Sequence, residues 1–538
     1  MVARYYKNKF WLIPVLAMLV TGGVVAYRYA RLNKVRAQFN RLLNTEKPVV
    51  VKNDSEQVQS PDLLKRYYEK YGYDNLWSDT SATGYRYMLL SMLRYADSLG
   101  LNRNDYHASY LIKYDSLVNN GKFNPDSFVT ENEVIFSDAA ISFLFHVAYG
   151  RDIPLAYNGV DLRIDTGRIV QAYNNLVQHR NWRSVLDELE PQVPQYQLLK
   201  KYLSYTVAFL RDFPEADTLR VSNTDAGRMA AAIKLRFYGF IADSLTGDTS
   251  DVERMRAALH GFQRMHGIDT TGALDAKTVA LLNQPLTQSV TRIRESLNYW
   301  RWTGRLAEKE FILVNIPAAR LQIVLHDSAV DLSMRVIVGK PSTRTPQFTA
   351  YMTGVIAYPY WTVPHSIAVS KILPAVKRNR AYLDENNFQV LDRNGRVVNH
   401  KLIRWSAITA KNLPYKFRQA SGCDNALGIL KFDLNSPFSI YLHDTNRRDL
   451  FQEKDRFLSH GCVRVEKPME LANYVLDNGL DSVTRAKLNQ CLENEKPSTF
   501  KLSRKIPVLI FYMTADVDEY GALRFYKDVY NLETAVVS

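Results

Sequence analysis

Three apolar segments in the second half of the chain decide the class of fold: FILVNI (Phe311–Ile316), LQIVL (Leu321–Leu325) and MRVIV (Met334–Val338). Each is five or six residues long, rich in β-branched residues and bounded by turn residues, as buried strands are. Residues 61–245 instead place apolar side chains three and four positions apart, which predicts helices. The sequence therefore predicts a multidomain α+β protein whose C-terminal half is mainly β and sandwich-like.

Composition excludes several classes of protein. The chain has 538 residues, 46% of them hydrophobic, and 3 cysteines, so it is neither disulfide-stapled, collagen-like nor intrinsically disordered. Its net charge is +14, but residues 1–36 hold seven bases and no acid. The remaining 502 residues carry +7 without a basic run, so nucleic acid is not expected as a partner. A mildly basic body suits an anionic polymer.

The N-terminus carries a membrane signal. Residues 10–27 are apolar, lack charges and are flanked by bases on both sides, which predicts a transmembrane helix within residues 1–36. A signal peptide cleaved after a small residue such as Ala26 is the alternative; bases on both flanks favour an uncleaved anchor. Residues 37–60 are polar and predict a linker. If the protein is exported from the cytosol, its odd number of cysteines leaves at least one thiol without an intramolecular disulfide partner.

The segments Tyr441–Thr445 and Ser459–Val465 combine a cysteine with two histidines. A thiol is nucleophilic as its thiolate, so a catalytic Cys462 requires an imidazole or another positive group that lowers its pKa. His443 ends one predicted strand, and His460 lies two residues before Cys462. The alternative is a core cysteine beside structural histidines.

The residues around Cys462 favour catalysis. Gly461 allows close approach of a substrate, and the amides near Gly461 and Cys462 are candidates for an oxyanion site. Arg464 lies on the same strand face as Cys462, where it can pair with a substrate carboxylate.

The whole pattern, a histidine, fifteen residues and then Ser-His-Gly-Cys-Val-Arg, resembles the signature of the L,D-transpeptidase catalytic domain of YkuD type. Further elements follow in the order that this family shows: Val338-Gly339-Lys340, Tyr360-Trp361-Thr362-Val363-Pro364 and Asn425-Ala426-Leu427-Gly428. Residues Phe262 to Asn283 resemble a small helical peptidoglycan-binding module. Asp138 to Leu198 are similar to the scaffold region of the large YcbB-like members.

The resemblance implies that the chain is divided into five regions: a transmembrane anchor (1–36), a linker (37–60), an α-helical scaffold domain (61–245), a peptidoglycan-binding-like module (246–300) and the catalytic domain (305–530), with a lid insertion at about 365–424. Within the insertion, residues 367–387 predict a helix.

The resemblance also implies a function. The expected enzyme is a single-pass protein of the bacterial inner membrane, with its catalytic body in the periplasm, that cross-links peptidoglycan. Cys462 would attack a tetrapeptide donor stem and release D-Ala, and His443 would be the base. Arg464 would hold a carboxylate, while His460 would shape the site, with a base role left open. Substrate contacts are expected from Tyr360, Trp361, Asn425 and Ser459. No metal and no cofactor are expected; cell-wall synthases are candidate partners.

Several alternatives stay open. Water as the acceptor would make the protein an L,D-carboxypeptidase or endopeptidase. A catalytically inactive protein of this family would instead act as a scaffold that binds the cell wall. The sequence does not identify the acceptor or the oligomeric state. Cys423 stands in Ser421–Asp424, where related sequences carry a Gly-Pro element, and a disulfide between Cys423 and Cys462 is a further alternative.

Overall fold

The computed structural model describes residues 33–44, 47–52, 54–73, 76–77, 83–123, 128–242, 252–308, 310–325, 332–477, 488 and 493–533. A helical N-terminal region is followed by a β-rich domain, so the predicted multidomain α+β organisation is confirmed at this level. The predicted anchor helix at residues 10–27 lies outside the described residues. Of the helices that the structure does describe, none has the length and apolar content needed to cross a membrane.

The N-terminal region is built from nine helices within the described ranges: α1 (residues 33–43), α2 (Pro61–Tyr71), α3 (Thr83–Arg94), α4 (Ala108–Asn119), α5 (Val129–Tyr149), α6 (Thr166–His179), α7 (Trp182–Leu189), α8 (Pro194–Asp212) and α9 (Asp225–Phe237). Polar caps define several starts: α6 begins where Asp165 accepts a hydrogen bond from the Arg168 amide. Helix α5 is central, because its side chains are buried on nearly every side.

The segment 37–60, predicted as a linker, is instead part of the helical domain. Phe39 and Leu43 of α1 are buried, as are Val49 and Val51 of the hairpin formed by β1 (Val49–Val51) and β2 (Asp54–Glu56). The backbone amide of Ser60 donates to the buried carboxylate of Asp138 on α5 at 2.8 Å. The linker prediction was wrong because the few apolar side chains of this segment are too sparse to show a helical or strand periodicity. They are nevertheless enough to pack a short hairpin against the helical domain.

The module that follows consists of α10 (Val252–Met265), α11 (Ala276–Leu282) and α12 (Leu286–Trp302). Buried Gln263 holds its turn: the side-chain amide donates to Thr278 Oγ1 at 3.0 Å, and its oxygen accepts from the Gly272 amide at 2.8 Å. His266 stacks on Phe525 of the C-terminal region at 5.2 Å between ring centroids. The module is thus packed against the domain beside it; its predicted role in wall binding stays a prediction.

The C-terminal half contains strands β4 (Glu310–Asn315), β5 (Arg320–Leu325), β6 (Leu332–Gly339), β7 (Phe348–Ala357), β12 (Leu430–Leu434), β13 (Leu442–His443), β14 (Phe457–Ser459), β15 (Val463–Val465), β16 (Ser498–Phe511), β17 (Ala515–Val517) and β18 (Leu523–Phe525), with helix α16 (Pro468–Asp477). The main sheet has the order β12-β13-β15-β6-β5-β4-β16-β7, and β12 also pairs with β7. The strands therefore close on themselves. The sandwich-like packing of this half stays a prediction, because closure of the sheet through β12 is compatible with two packed layers.

One further strand reaches this sheet from the helical region. β3 (Tyr157–Asn158) pairs in parallel with the start of β7, and the Gly159 amide donates to Thr349 O at 2.9 Å. The helical region thus contributes to the edge of the catalytic sheet.

The insertion between β7 and β12 is a subdomain with its own sheet and core. Its sheet has the order β10-β9-β11-β8, from β8 (Trp361–Thr362), β9 (Phe388–Leu391), β10 (Val397–Val398) and β11 (Lys416–Gln419). Buried Val376, Val390, Trp405 and Phe417 belong to its separate core.

The predicted helix at residues 367–387 is broken. It is divided into α13 (His365–Ile367), a π-helical turn (Ala368–Ile372), α14 (Leu373–Arg378) and α15 (Tyr382–Glu385). The insertion also begins earlier than the predicted residue 365, because Trp361 and Thr362 already pair with β11.

Candidate active site

Adjacent strands bring the predicted catalytic side chains to one face of the sheet. β13 lies between β12 and β15, and His443 is in register with Lys431 on one side and Arg464 on the other. Side chains alternate along a strand, so Tyr441 shares the face of His443, and Cys462 shares that of Arg464. The Val463 amide donates to Tyr441 O at 3.1 Å, which holds Cys462 beside Tyr441.

The turn before Cys462 is fixed by Ser459. Its hydroxyl donates to Cys462 O at 2.6 Å and accepts from the Gly461 amide at 3.1 Å. Thr345 donates from its hydroxyl to Gly461 O at 2.8 Å. Gly461 has φ +120°, a backbone conformation that other residues rarely adopt. Since its amide is used by Ser459, the amide of Cys462 is the better candidate for an oxyanion site.

The sulfur of Cys462 is half-buried and donates to Ser439 O at 3.5 Å. Burial raises the pKa of this thiol above its usual value. The amide and hydroxyl of Tyr441 and the charge of Lys431 lower it without cancelling the effect of burial. The expected lowering of the Cys462 pKa by an imidazole was therefore wrong: the resting group is a thiol.

His443 is 5% exposed, and its Nδ1 donates to Asp444 O at 2.5 Å. A carbonyl can only accept, so in the neutral ring Nε2 carries the lone pair. Burial lowers the pKa of His443 to about 3, and the charges of Arg464 and Lys431 act in the same direction. His443 is therefore a neutral imidazole, although its backbone hydrogen bonds with Asp444 and Leu427 act in the opposite direction.

The loop after His443 is fixed by the next residue. The buried carboxylate of Asp444 accepts from the Ile429 amide at 3.0 Å and from Arg448 at 3.1 Å. Gly428, with φ +62°, leaves room for this carboxylate, since a Cβ there would lie 2.3 Å from Asp444 Oδ2. This packing holds the carbonyl that orients the His443 ring.

Three cations cluster beside the predicted catalytic residues. Burial and the positive charges of Lys340 and Arg464 lower the pKa of Lys371, a residue of the insertion. The pKa of exposed His460 is also lowered, by burial and by the positive charges of Lys371, Lys340 and Arg464. Arg464 Nε has no hydrogen-bond partner among the described residues. We call Lys340, Lys371 and Arg464 the mouth cations; they favour an anionic ligand.

The residues predicted to contact substrate divide into two groups. Trp361 lies at the site, where its indole hydrogen-bonds the Tyr441 hydroxyl, while Tyr360 is 47% exposed and carries Arg418 over its ring at 4.9 Å. Asn425 is buried, and its amide group donates to Pro359 O at 3.1 Å and Ala420 O at 2.8 Å. Like Ser459, Asn425 braces backbone here; direct contact of these residues with substrate stays a prediction.

Sequence reasoning assigned no role to three residues of the site, Tyr441, Lys431 and Lys340. Tyr441 touches the sulfur, and the Lys431 ammonium lies 4.4 Å from the centre of the Tyr441 ring. Tyr441 was predictable, because it precedes His443 by two positions on a strand. Lys340 comes from a distant segment and carried no local signal. Within the described ranges, no group of three or more His, Cys, Asp or Glu residues is arranged to hold a metal ion.

Comparison with known proteins supports the resemblance to L,D-transpeptidases. Residues 309–487 match the family model of the YkuD L,D-transpeptidase catalytic domain, and residues 62–203 match a model described as a scaffold domain. A Haemophilus influenzae protein named "Putative L,D-transpeptidase" is 38% identical over 225 residues, which are 42% of this chain and 45% of that protein. The matched region thus spans less than half of that relative.

A solved structure described as the Ldtfm-avibactam carbamoyl enzyme shares 14% sequence identity over 40% of this chain and 61% of that chain. Its TM-score of 0.16 is too low to support a structural argument. The predicted resemblance to L,D-transpeptidases is confirmed by the family model and the relative: residues 309–487 are similar to L,D-transpeptidase catalytic domains.

Proposed function

We propose that this protein is a peptidoglycan L,D-transpeptidase with Cys462 as its nucleophile. The observation that carries the proposal is the alignment of Cys462, Tyr441, His443 and Arg464 on one face of two paired strands, beside a cluster of cations. The donor is a tetrapeptide stem whose carboxylates face the mouth cations. A single-pass anchor in the bacterial inner membrane and a catalytic body in the periplasm remain part of this proposal.

The first half-reaction forms a thioester. His443 Nε2 removes the proton of Cys462 as the sulfur attacks the carbonyl carbon of the third stem residue. The Tyr441 amide and hydroxyl donate to the developing sulfur anion, so the thiolate need exist only during attack. The tetrahedral intermediate collapses, the C–N bond breaks, and His443 returns the proton to the departing D-Ala amine. The amide of Cys462 is the proposed donor to the oxyanion.

The second half-reaction transfers the acyl group. An amine on the third residue of another stem attacks the thioester carbonyl, and His443 takes its proton. The new C–N bond forms, the C–S bond breaks, and the proton returns to the sulfur, which regenerates the thiol. Water in place of the amine would instead yield a free tripeptide stem.

Incubation of the full chain with a purified disaccharide-tetrapeptide tests the proposal. Mass spectrometry is expected to find a Cys462 acyl adduct and a cross-linked dimer. Cys462→Ala should lose both products, whereas the matched control Cys423→Ala, which changes another free cysteine, should retain them. Tripeptide without dimer would identify a hydrolase, and no product without an adduct would identify a silent scaffold.

A further inference from the structure

The net positive charge of residues 37–538 is concentrated in the insertion. Residues 361–424 hold eleven Lys and Arg against four Asp and Glu, a net charge of +7. Residues 37–538 as a whole also carry +7, from 62 bases and 55 acids. The helical region, the module and the catalytic sheet are therefore neutral in sum, and one subdomain of 64 residues accounts for the entire excess.

Part of this charge surrounds a cavity within the insertion. The cavity has a volume of about 400 Å³ and lies between the strands β8 and β11 and the helix that starts at His365. Three basic residues line it, His365, Arg393 and Lys416, together with Thr362, Tyr415 and apolar side chains. Among the residues that the structure describes, no carboxylate lines it. We call Arg393 and Lys416 the groove cations.

The side chains of the groove cations are unpaired, whereas most acids of the insertion are engaged elsewhere. In the fully described range 361–424, neither of the two makes a hydrogen bond or an ion pair through its side chain. Asp384 pairs with His400 at 2.9 Å, and Asp392 accepts the Asn394 amide at 2.8 Å. The groove thus offers uncompensated positive charge that a carboxylate would satisfy.

One helical segment connects the groove with the catalytic opening. His365 lines the groove, and Lys371, six residues further on, belongs to the mouth cations. Six helical residues rise by about 9 Å. An extended peptide covers about the same distance with three residues. A short acidic peptide can therefore occupy the groove at one end and reach the catalytic opening at the other.

We propose that the groove formed by His365, Arg393 and Lys416 binds the carboxylates of the acceptor stem. The inference rests on the proposed function, in which two anionic stems meet at Cys462. The mouth cations, of which Arg464 acts directly on the sulfur, serve the donor, while the groove cations form a second cationic site one stem length away. The acceptor is thus an acidic peptide held by the insertion, with its amine directed toward the thioester.

The test separates the two half-reactions in the full-length protein. Arg393→Gln/Lys416→Gln is compared with Lys377→Gln/Arg380→Gln, a matched control that removes the same two charge types from exposed positions of the insertion. We expect the groove variant to raise the apparent KM for a tripeptide acceptor about tenfold. Formation of the Cys462 adduct from the donor alone should change less than about twofold. The control should stay within about twofold in both assays.

An acceptor with amidated carboxylates provides the second readout. Wild type should use it about tenfold less well than the acid form, and the groove variant should no longer distinguish the two. Equal effects of both double variants would overturn the proposal in favour of general charge attraction. A loss confined to adduct formation would assign the groove to the donor, and a loss confined to binding of anionic lipid vesicles would assign it to the membrane. Absence of an adduct in wild type would instead refute the proposed function.

Discussion

Two buried histidines, His107 in the helical region and His443 in the catalytic sheet, have opposite environments. His107 lies between two carboxylates, with Nδ1 2.6 Å from Glu56 and Nε2 2.9 Å from Asp138. Burial lowers its pKa, but these hydrogen bonds outweigh burial and raise the pKa of His107 to about 9. The pKa of His443, beside Arg464 and Lys431, is lowered to about 3.

The comparison shows how one residue type serves structure or chemistry. Both nitrogens of charged His107 are engaged, so its ring joins the β1–β2 hairpin to α5. His443 engages Nδ1 with a carbonyl and keeps a lone pair on Nε2, on the strand face that also carries Cys462. Burial is common to both. The sign of the neighbouring charges decides the role.

The largest effect is expected from His443→Ala. Loss of the base should lower the rate of Cys462 acylation about 1000-fold, within the usual range for general base catalysis. Adduct formation per folded molecule, followed by mass spectrometry, measures this. His460→Ala, which changes the exposed neighbour, is the control and should cost less than tenfold. If His460→Ala were the more damaging variant, the assignment of the base would be wrong.

The opposite result is expected from His107→Gln. The variant leaves two carboxylates without their cation and should lower the free energy of unfolding by about 3 kcal/mol. Acylation per folded molecule should be unchanged. Chemical denaturation measures the first quantity and the adduct assay the second. His179→Gln, at an exposed position of α6, should be neutral in both; an activity loss in folded His107→Gln would contradict the structural role.

The same substitution also predicts a pH dependence. Because the folded pKa of His107 is raised to about 9 from an ordinary value of 6.5, its stabilisation is complete below about pH 6.5 and is lost as pH rises toward 9. The difference in unfolding free energy between wild type and His107→Gln should therefore shrink over this interval. A constant difference would mean that the ring is neutral.

The smallest effect is expected from Tyr441→Phe. Removing the hydroxyl that donates to the sulfur should raise the pKa of Cys462 further and slow acylation about tenfold, the equivalent of ~1.4 kcal/mol. Alkylation of Cys462 by a neutral reagent at pH 8 should slow in parallel. Tyr382→Phe, in the insertion, is the matched control. Slower acylation with unchanged alkylation would indicate a substrate contact in place of thiolate stabilisation.

Local patterns in the sequence were sufficient to predict Cys462, His443 and the β-rich half. The alternation of a strand places residues two apart on one face, so Cys462 and Arg464 could be assigned together. The linker prediction for residues 37–60 failed because burial of Phe39 and Val49 depends on a hairpin that packs on a distant helix. The insertion was predicted, but its own sheet was not, since Trp361 pairs with Gln419 far along the chain.

The sequence by itself determined the candidate nucleophile, its candidate base and the order of helical and β regions, because these depend on residue identity and short spacing. Only the tertiary structure decided the protonation states and the surroundings of the thiol. The pKa of Cys462 depends on burial and on Tyr441, and that of His443 on burial and on cations from neighbouring strands. Lys371 and Lys340 lie near Arg464 because three segments that are far apart in sequence converge in the folded protein. Electrostatic interactions depend on distance in space and not on separation along the chain, so local sequence patterns could not reveal them.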